Sequence, residues 1–434
     1  MVRAEWTRNR ASQRRRPRDQ RGGVTGPVSR RLFILAPLLL ASLILLRPTV
    51  ARALAYPDVG SSQWARTYIG WVTDQRIGGR NLLDDFQGTA FRPAQAMTRA
   101  QLARALVMAS GNQAKPFTPR ELIDVPEDHP YYGDIQRVLA LGFMGTCADR
   151  EFRPDQAAVV WQAHRSLVRM IRAKYPRADW SMLSALAPGK WQPNDDWRPP
   201  VRTSFPSEVA ARYFGLRFNH PASQDKLERL PTEVLRRDHA AYAFSQALRV
   251  PAWRVSSLSR FNEVKLPLLS ARQKEILGFA LRYEGYPHIY GGEYPTVNSP
   301  YGLQAHGGFD CSGFVWWVMK IQYGYPIPVT QRTAAAMAAA AKPRITRAKL
   351  RPGDILFWGP KGSASTASSI YHAGIYMGNG WFIHSTGSSA GVSIASLNWD
   401  GWSWKTDFAW GRRLLTASDL ALPSPSPSPS PSAN

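Results

Sequence analysis

Three short segments limit what this chain can fold into: Gly308-Phe309-Asp310-Cys311-Ser312-Gly313-Phe314, then Tyr371-His372-Ala373-Gly374-Ile375-Tyr376, then Phe382-Ile383-His384-Ser385. A glycine turn delivers one cysteine to the start of an apolar run (Phe314, Val315, Val318, Met319) that reads as a helix. The two histidines fall on short alternating segments that read as adjacent strands. A thiol at a helix N-terminus faces the positive end of the macrodipole, which favours the thiolate. A nearby imidazole can activate that thiol, and a second polar group can orient the imidazole. This order and this chemistry are those of a cysteine hydrolase.

The rest of the chain says where such chemistry would work. Its 434 residues allow two or three domains with cores of their own. Residues 1–31 hold ten arginines against two acidic residues, followed by the uncharged run Leu32–Leu46 and by Ala51-Arg52-Ala53-Leu54-Ala55. That order predicts a secretory signal cut after Ala55. Ser29-Arg30-Arg31-Leu32-Phe33-Ile34 also fits a twin-arginine signal, although Leu35 stands where lysine is usual, so both export routes stay open. The apolar run of 15 residues is short for about 30 Å of hydrocarbon, so membrane attachment is expected only through an uncleaved signal. Without residues 1–55 the chain keeps 43 basic and 29 acidic residues, an excess suited to an anionic wall surface. No basic run with interleaved aromatics remains to suit nucleic acid. Two cysteines, Cys147 and Cys311, exclude a disulfide framework, and Cys147 reads as a small core residue.

Residues 56–172 contain a repeat. Phe91-Arg92-Pro93 with Met97-Thr98-Arg99-Ala100-Gln101-Leu102 recurs 61 residues later as Phe152-Arg153-Pro154 with Val159-Val160-Trp161-Gln162-Ala163. Upstream, Asp58-Val59 matches Asp124-Val125 at a spacing of 66. Each copy reads as helix, turn, helix. A fainter third copy covers Leu230-Pro231 and Leu235 to Phe244. These units resemble S-layer homology repeats, the paired-helix modules by which bacterial surface proteins hold cell-wall polymers. The resemblance implies polymer contacts at Arg99, with Asp58 and Trp64 upstream, and at Arg237 in the third copy; Val160 stands at the equivalent place in the second. A helical spacer without a ligand is the alternative.

From Ser270 the pattern changes. Ile276, Phe279, Ala280 and Tyr283 form a helical stripe, a second helix starts at Cys311, and an alanine-rich helix runs from Arg332 to Ala341. Alternating segments follow at Asp354–Trp358, Tyr371–Met377, Trp381–Ser385, Val392–Ala395 and Phe408–Arg412, with Gly378-Asn379-Gly380 as a hairpin signal. The fold class is α+β: helices packed on an antiparallel sheet, preceded by an all-α repeat region.

Asp310-Cys311-Ser312-Gly313, Leu350-Arg351-Pro352-Gly353-Asp354-Ile355-Leu356-Phe357, His372-Ala373-Gly374-Ile375-Tyr376 and Ile383-His384 occur in the order found in the NlpC-like papain-fold peptidases, which this region resembles. The resemblance implies that Cys311 attacks an amide carbonyl, that His372 takes and returns the proton, and that His384 fixes the tautomer of His372. The Cys311 backbone N–H would help hold the oxyanion. Asp310, Ser312, His288 and Tyr290 would border the substrate, with Asp310 pairing a free amino end. The family's Pro-Tyr-x-Trp-Gly-Gly is Pro287-His288-Ile289-Tyr290-Gly291-Gly292 here, so His288 replaces a tyrosine as a hydrogen-bond donor, and an insertion follows from Tyr294 to Leu303. No metal or organic cofactor is implied. Zinc on Cys311, His372 and His384 is the alternative, without an evident fourth ligand.

The expected organisation is a signal peptide (1–55), repeats (56–115 and 116–174), a Trp/Pro-rich connector (175–204), a degenerate third repeat (205–255), an NlpC-like peptidase domain (265–415) and a Ser-Pro tail (416–434). The expected protein is an exported, wall-associated peptidoglycan hydrolase that cuts γ-D-glutamyl–diamino acid bonds, with stem peptides and an anionic secondary wall polymer as partners. Two alternatives stay open: a catalytically silent wall-binding protein, and an amidase or acyltransferase on the same fold.

Overall fold

The computed structural model describes residues 56–422, apart from 78–79, 84–88, 148, 193–196, 219, 300–301, 341–342, 388–390 and 401–402. The expected signal peptide and the Ser-Pro repeats from residue 423 lie outside the described residues. Residues 416–422, expected as part of an extended tail, are docked: Tyr325 Oη donates to Asp419 Oδ2 at 3.1 Å, and the Thr416 N–H donates to the same oxygen at 2.8 Å.

The first half holds three successive helix pairs in the chain, α1 (Arg66–Thr73) and α2 (Arg99–Ala109), α3 (Tyr132–Ala140) and α4 (Val160–Lys174), and α5 (Phe205–Tyr213) and α6 (Arg237–Arg249). They pack across the copies, α1 on α6, α2 on α3 and α4 on α5. A two-residue ladder, Arg76–Ile77 with Arg80–Asn81, interrupts the otherwise helical region. The extended residues that lead into α2, α4 and α6 close a ring of backbone hydrogen bonds. Met97 N–H donates to Leu235 O (2.9 Å), Leu235 N–H to Ala158 O (2.8 Å), and Ala158 N–H to Met97 O (2.9 Å). The faint third copy therefore occupies the same structural place as the other two.

Side chains fix the turns in the first two copies. Asp58 accepts from the N–H groups of Phe91 (2.9 Å) and Arg92 (2.6 Å), and Asp124 from those of Phe152 (2.9 Å) and Arg153 (2.5 Å). Arg92 and Arg153 sit at φ 58° and 57°, a conformation that a non-glycine residue adopts only when such contacts hold it. Helix α2 starts with a full capping box, Thr98 with Gln101.

The second half carries α7 (Ala271–Leu281), capped by Ser270 and Gln273, and α8 (Cys311–Val315), which continues as a π-helical stretch, Trp316–Gln322. Next come α9 (Ala334–Ala339) and five strands: β1 (Ile355–Trp358), β2 (His372–Gly378), β3 (Trp381–Thr386), β4 (Gly391–Ser396) and β5 (Phe408–Arg412). The sheet is antiparallel throughout, in the order β4-β3-β2-β1-β5. Asn379 and Gly380, both at positive φ, make the two-residue turn between β2 and β3. One apolar layer (Phe357, Ala373, Ile375, Ile383) joins the helix residues Phe314 and Val315; a second (Leu356, Trp358, Phe382, Trp404) covers the other side. Buried Asp354 is held by both Arg413 Nε (2.8 Å) and Nη2 (2.7 Å), a structural role.

The third helix pair meets the sheet-bearing half through buried charge. Arg212 and Arg217 both donate to Gly285 O. Glu208 accepts from Arg212 and sits 3.0 Å from His164 Nδ1, while Glu228 pairs with Arg217. Burial opposes ionisation of Glu208, but His164, Arg212 and Arg217 outweigh it and hold the carboxyl at about 2.

Candidate active site

Cys311 opens α8, and the carboxylate of Asp310 caps that helix by accepting the Gly313 N–H at 2.6 Å. Gly313 is required here, because a Cβ would lie 1.9 Å from Gly292 O. The helix that Cys311 opens packs against β2, where His372 stands at the first position, and against β3, and the Ala373 and Ser312 N–H groups favour the ionised form of the thiol. His372 Nε2 and His384 Nδ1 are 2.7 Å apart. Among the described residues no hydrogen bond joins Cys311 to His372.

Both imidazoles are buried among aromatic rings. Trp404 stands 5.2 Å from His372 and 4.7 Å from His384, Trp358 is 5.3 Å from His372, and Phe382 is 4.9 Å from His384. That burial, with His288 nearby, pushes His372 down to about 3 and His384 well below the usual histidine range. The thiol moves the other way. Burial, then the charge of Asp310, raise Cys311 to about 12, against the Ala373 and Ser312 N–H groups and Arg332. Burial first, and then the carboxylate that caps the helix, thus oppose the thiolate expected from the helix terminus. The resting pair is thiol and neutral imidazole.

Asp310 and Ser312 are tied to Arg332, a residue the sequence offered only as the first of an alanine-rich helix. Arg332 Nη1 lies 3.1 Å from Asp310 Oδ1 and 2.9 Å from Ser312 Oγ, its Nε 2.6 Å from Glu293 Oε2, and its Nη2 2.9 Å from Gly292 O. In this structure Asp310 thus already holds a cation. Ser385 Oγ donates to Phe309 O (2.6 Å), which leaves it to accept from His288 Nδ1 at 3.3 Å. With Nδ1 carrying the proton, and burial lowering the His288 pKa, Nε2 presents a lone pair. His288 also lines a cavity with Phe218, His220, Asp225, Glu228 and Tyr290. Tyr290 is 80% exposed, and its N–H is held by Asp225 Oδ2 at 2.8 Å.

In the helical half, the two named arginines are buried, Trp64 is partly buried and Asp58 is exposed. Buried Arg99 donates through Nε to Phe152 O (2.7 Å) and through Nη2 to Gly145 O (3.1 Å), over the Phe152 ring. Arg237 repeats this with Phe91 O and Leu83 O, both at 2.8 Å. Trp64 Nε1 donates to Asp238 (3.2 Å), and Asp58 holds the Phe91 turn described above. Between α2 and α4 lies a groove of about 260 Å³ whose basic lining is Arg99, Arg165 and Arg169. Cys147 also lines it, partly exposed, and both cysteines are free.

A cysteine at a helix start, packed on an antiparallel sheet that bears a hydrogen-bonded histidine pair, defines a papain-like cysteine peptidase layout. Residues 285–411 form an NlpC/P60 family domain. Murein DD-endopeptidase MepH of Escherichia coli K12 is 32% identical over 136 residues, 31% of this chain and 44% of that protein. Bifunctional muramidase/DL-endopeptidase CwlT of Bacillus subtilis 168 is 34% identical over 123 residues (28% and 31%). Gamma-DL-glutamyl hydrolase of the same strain is 32% identical over 126 residues (29% and 26%). The chain spans less than half the length of each of these relatives.

Proposed function

We propose that the protein is a wall-associated peptidoglycan hydrolase that cleaves the γ-D-glutamyl–diamino acid amide of the stem peptide through Cys311, His372 and His384. One observation carries this reading: the buried His372–His384 pair, 2.7 Å apart, stands on the two strands against which the Cys311 helix packs. His372 Nε2 is taken by His384, so in the proposed reaction the thiol meets the remaining nitrogen of His372, Nδ1. Sulfur then attacks the carbonyl carbon as its proton passes to Nδ1; neither group is charged beforehand, so transfer accompanies attack. His384 steadies the imidazolium through Nε2–H. The Cys311 N–H faces the forming oxyanion. The proton leaves on the departing amine, and water hydrolyses the thioester.

The helical half is proposed to hold an anionic wall polymer in the manner of the repeats it resembles, and export of the chain belongs to the same proposal. Its support is the arginine-lined groove between α2 and α4. A suspension of purified peptidoglycan treated with the full-length protein is expected to release soluble peptides. Cys311→Ala and iodoacetamide-treated protein are expected to release none; equal release by all three would end the enzyme reading in favour of a wall binder.

A further inference from the structure

The Trp/Pro-rich connector has no part in the chemistry above, yet it forms one wall of a cavity at the junction of the two halves. This cavity, about 250 Å³, is lined by Trp161, Pro200, Arg202, Glu208, Arg282 and Glu284, among others. Glu284 is 5% exposed, and neither of its carboxyl oxygens has a hydrogen-bond partner. A buried carboxyl without a partner costs folding free energy, so its persistence needs an explanation. Arg202 and Arg282, which also line the cavity, are exposed and form no ion pair among the described residues. The space far exceeds the ~10–15 Å³ that one water needs, and falls short of the ~300–1,000 Å³ of drug-sized sites.

We propose that this cavity is a binding site for a short zwitterionic peptide, its ammonium on Glu284 and its carboxylate between Arg202 and Arg282. Trp161 and Pro200 supply the apolar walls against which such a backbone would lie. Burial raises Glu284 to about 8 against the nearby Arg212 and with Glu208 adding to it, so the carboxyl is uncharged at neutral pH until a further cation enters. The site sits one residue before Gly285, whose carbonyl receives Arg212 and Arg217, and four residues before His288. The amine-side product of the proposed cleavage has this charge pattern, so its identity as the natural ligand rests on that reading; the site itself does not.

The test is isothermal titration of D-alanyl-D-alanine into the full-length chain carrying Cys311→Ala, so that failure of hydrolysis and failure of this site are read separately. Binding is expected, lost on N-acetylation or C-amidation of the dipeptide, and weakened at least tenfold by Glu284→Gln and by Arg202→Gln with Arg282→Gln. Should Glu284→Gln fail to fold, the two peptide derivatives still report on each pole. No binding, equal binding of the blocked dipeptides, or affinity unchanged in folded Glu284→Gln would overturn the proposal.

Discussion

Replacing His384 with alanine isolates the contribution of the histidine pair. The bond to His372 links two neutral rings at rest and becomes charge-assisted once His372 takes the thiol proton. A hydrogen bond to a charged group contributes about 1.5–3 kcal/mol. At about 1.36 kcal/mol per decade this predicts a kcat lower by about 10- to 150-fold, and loss of ring orientation carries it towards 10³. KM for wall fragments should change little, because His384 is buried and touches no substrate. The same change leaves His372 Nε2 unpaired in an aromatic cage, at a cost of about 1–3 kcal/mol in folding free energy. His384→Asn, whose amide oxygen can accept from Nε2, should recover at least tenfold of the lost rate. The assay is steady-state peptide release from solubilised peptidoglycan, with thermal unfolding run on each variant. A folded His384→Ala enzyme within threefold of the parent rate would refute the proposed role.

Other consequences concern charge. Alkylation of Cys311 by iodoacetamide should stay slow and show no inflection between pH 5 and 9, because burial and Asp310 raise the thiol to about 12; an inflection near 8.5 would contradict this. Arg332→Gln should cost about 3–5 kcal/mol in a urea titration, since it strands Asp310 and Glu293 without their cation, and a loss below about 1 kcal/mol would show the cluster to be solvated. Glu208 and Glu228 are held at about 2, below the unfolded value of 4.5, so their contribution is complete above 4.5 and fades as pH falls towards 2. The melting temperature should fall across that window, and Glu208→Gln should flatten the fall; an unchanged slope would place the acid sensitivity elsewhere.

The strands were legible because alternation is a local signal: Tyr371–Met377 and Trp381–Ser385 were expected where His372–Gly378 and Trp381–Thr386 occur. The residues that surround the chemistry were not, because their partners lie far along the chain. Arg332 sits before an alanine run and carries no periodicity, while its partners come from Gly292, Glu293 and Asp310. Trp404 lies in a four-residue helix, Ser403–Thr406, and closes over both histidines. The third helix pair was faint because the ring of Met97, Ala158 and Leu235 is made by backbone groups, which any side chain can provide. The thiolate expectation weighed the helix terminus and left out first the burial of the sulfur and then the carboxylate at the cap, one residue away.

Mass spectrometry of the peptides that the full-length protein releases from purified wall tests the central claim most directly. The account predicts fragments with a new amino terminus on the diamino acid, matched by a freed γ-carboxyl on D-glutamate, and neither with Cys311→Ala. Fragments cut at another bond, or the same fragments from the alanine variant, would contradict it.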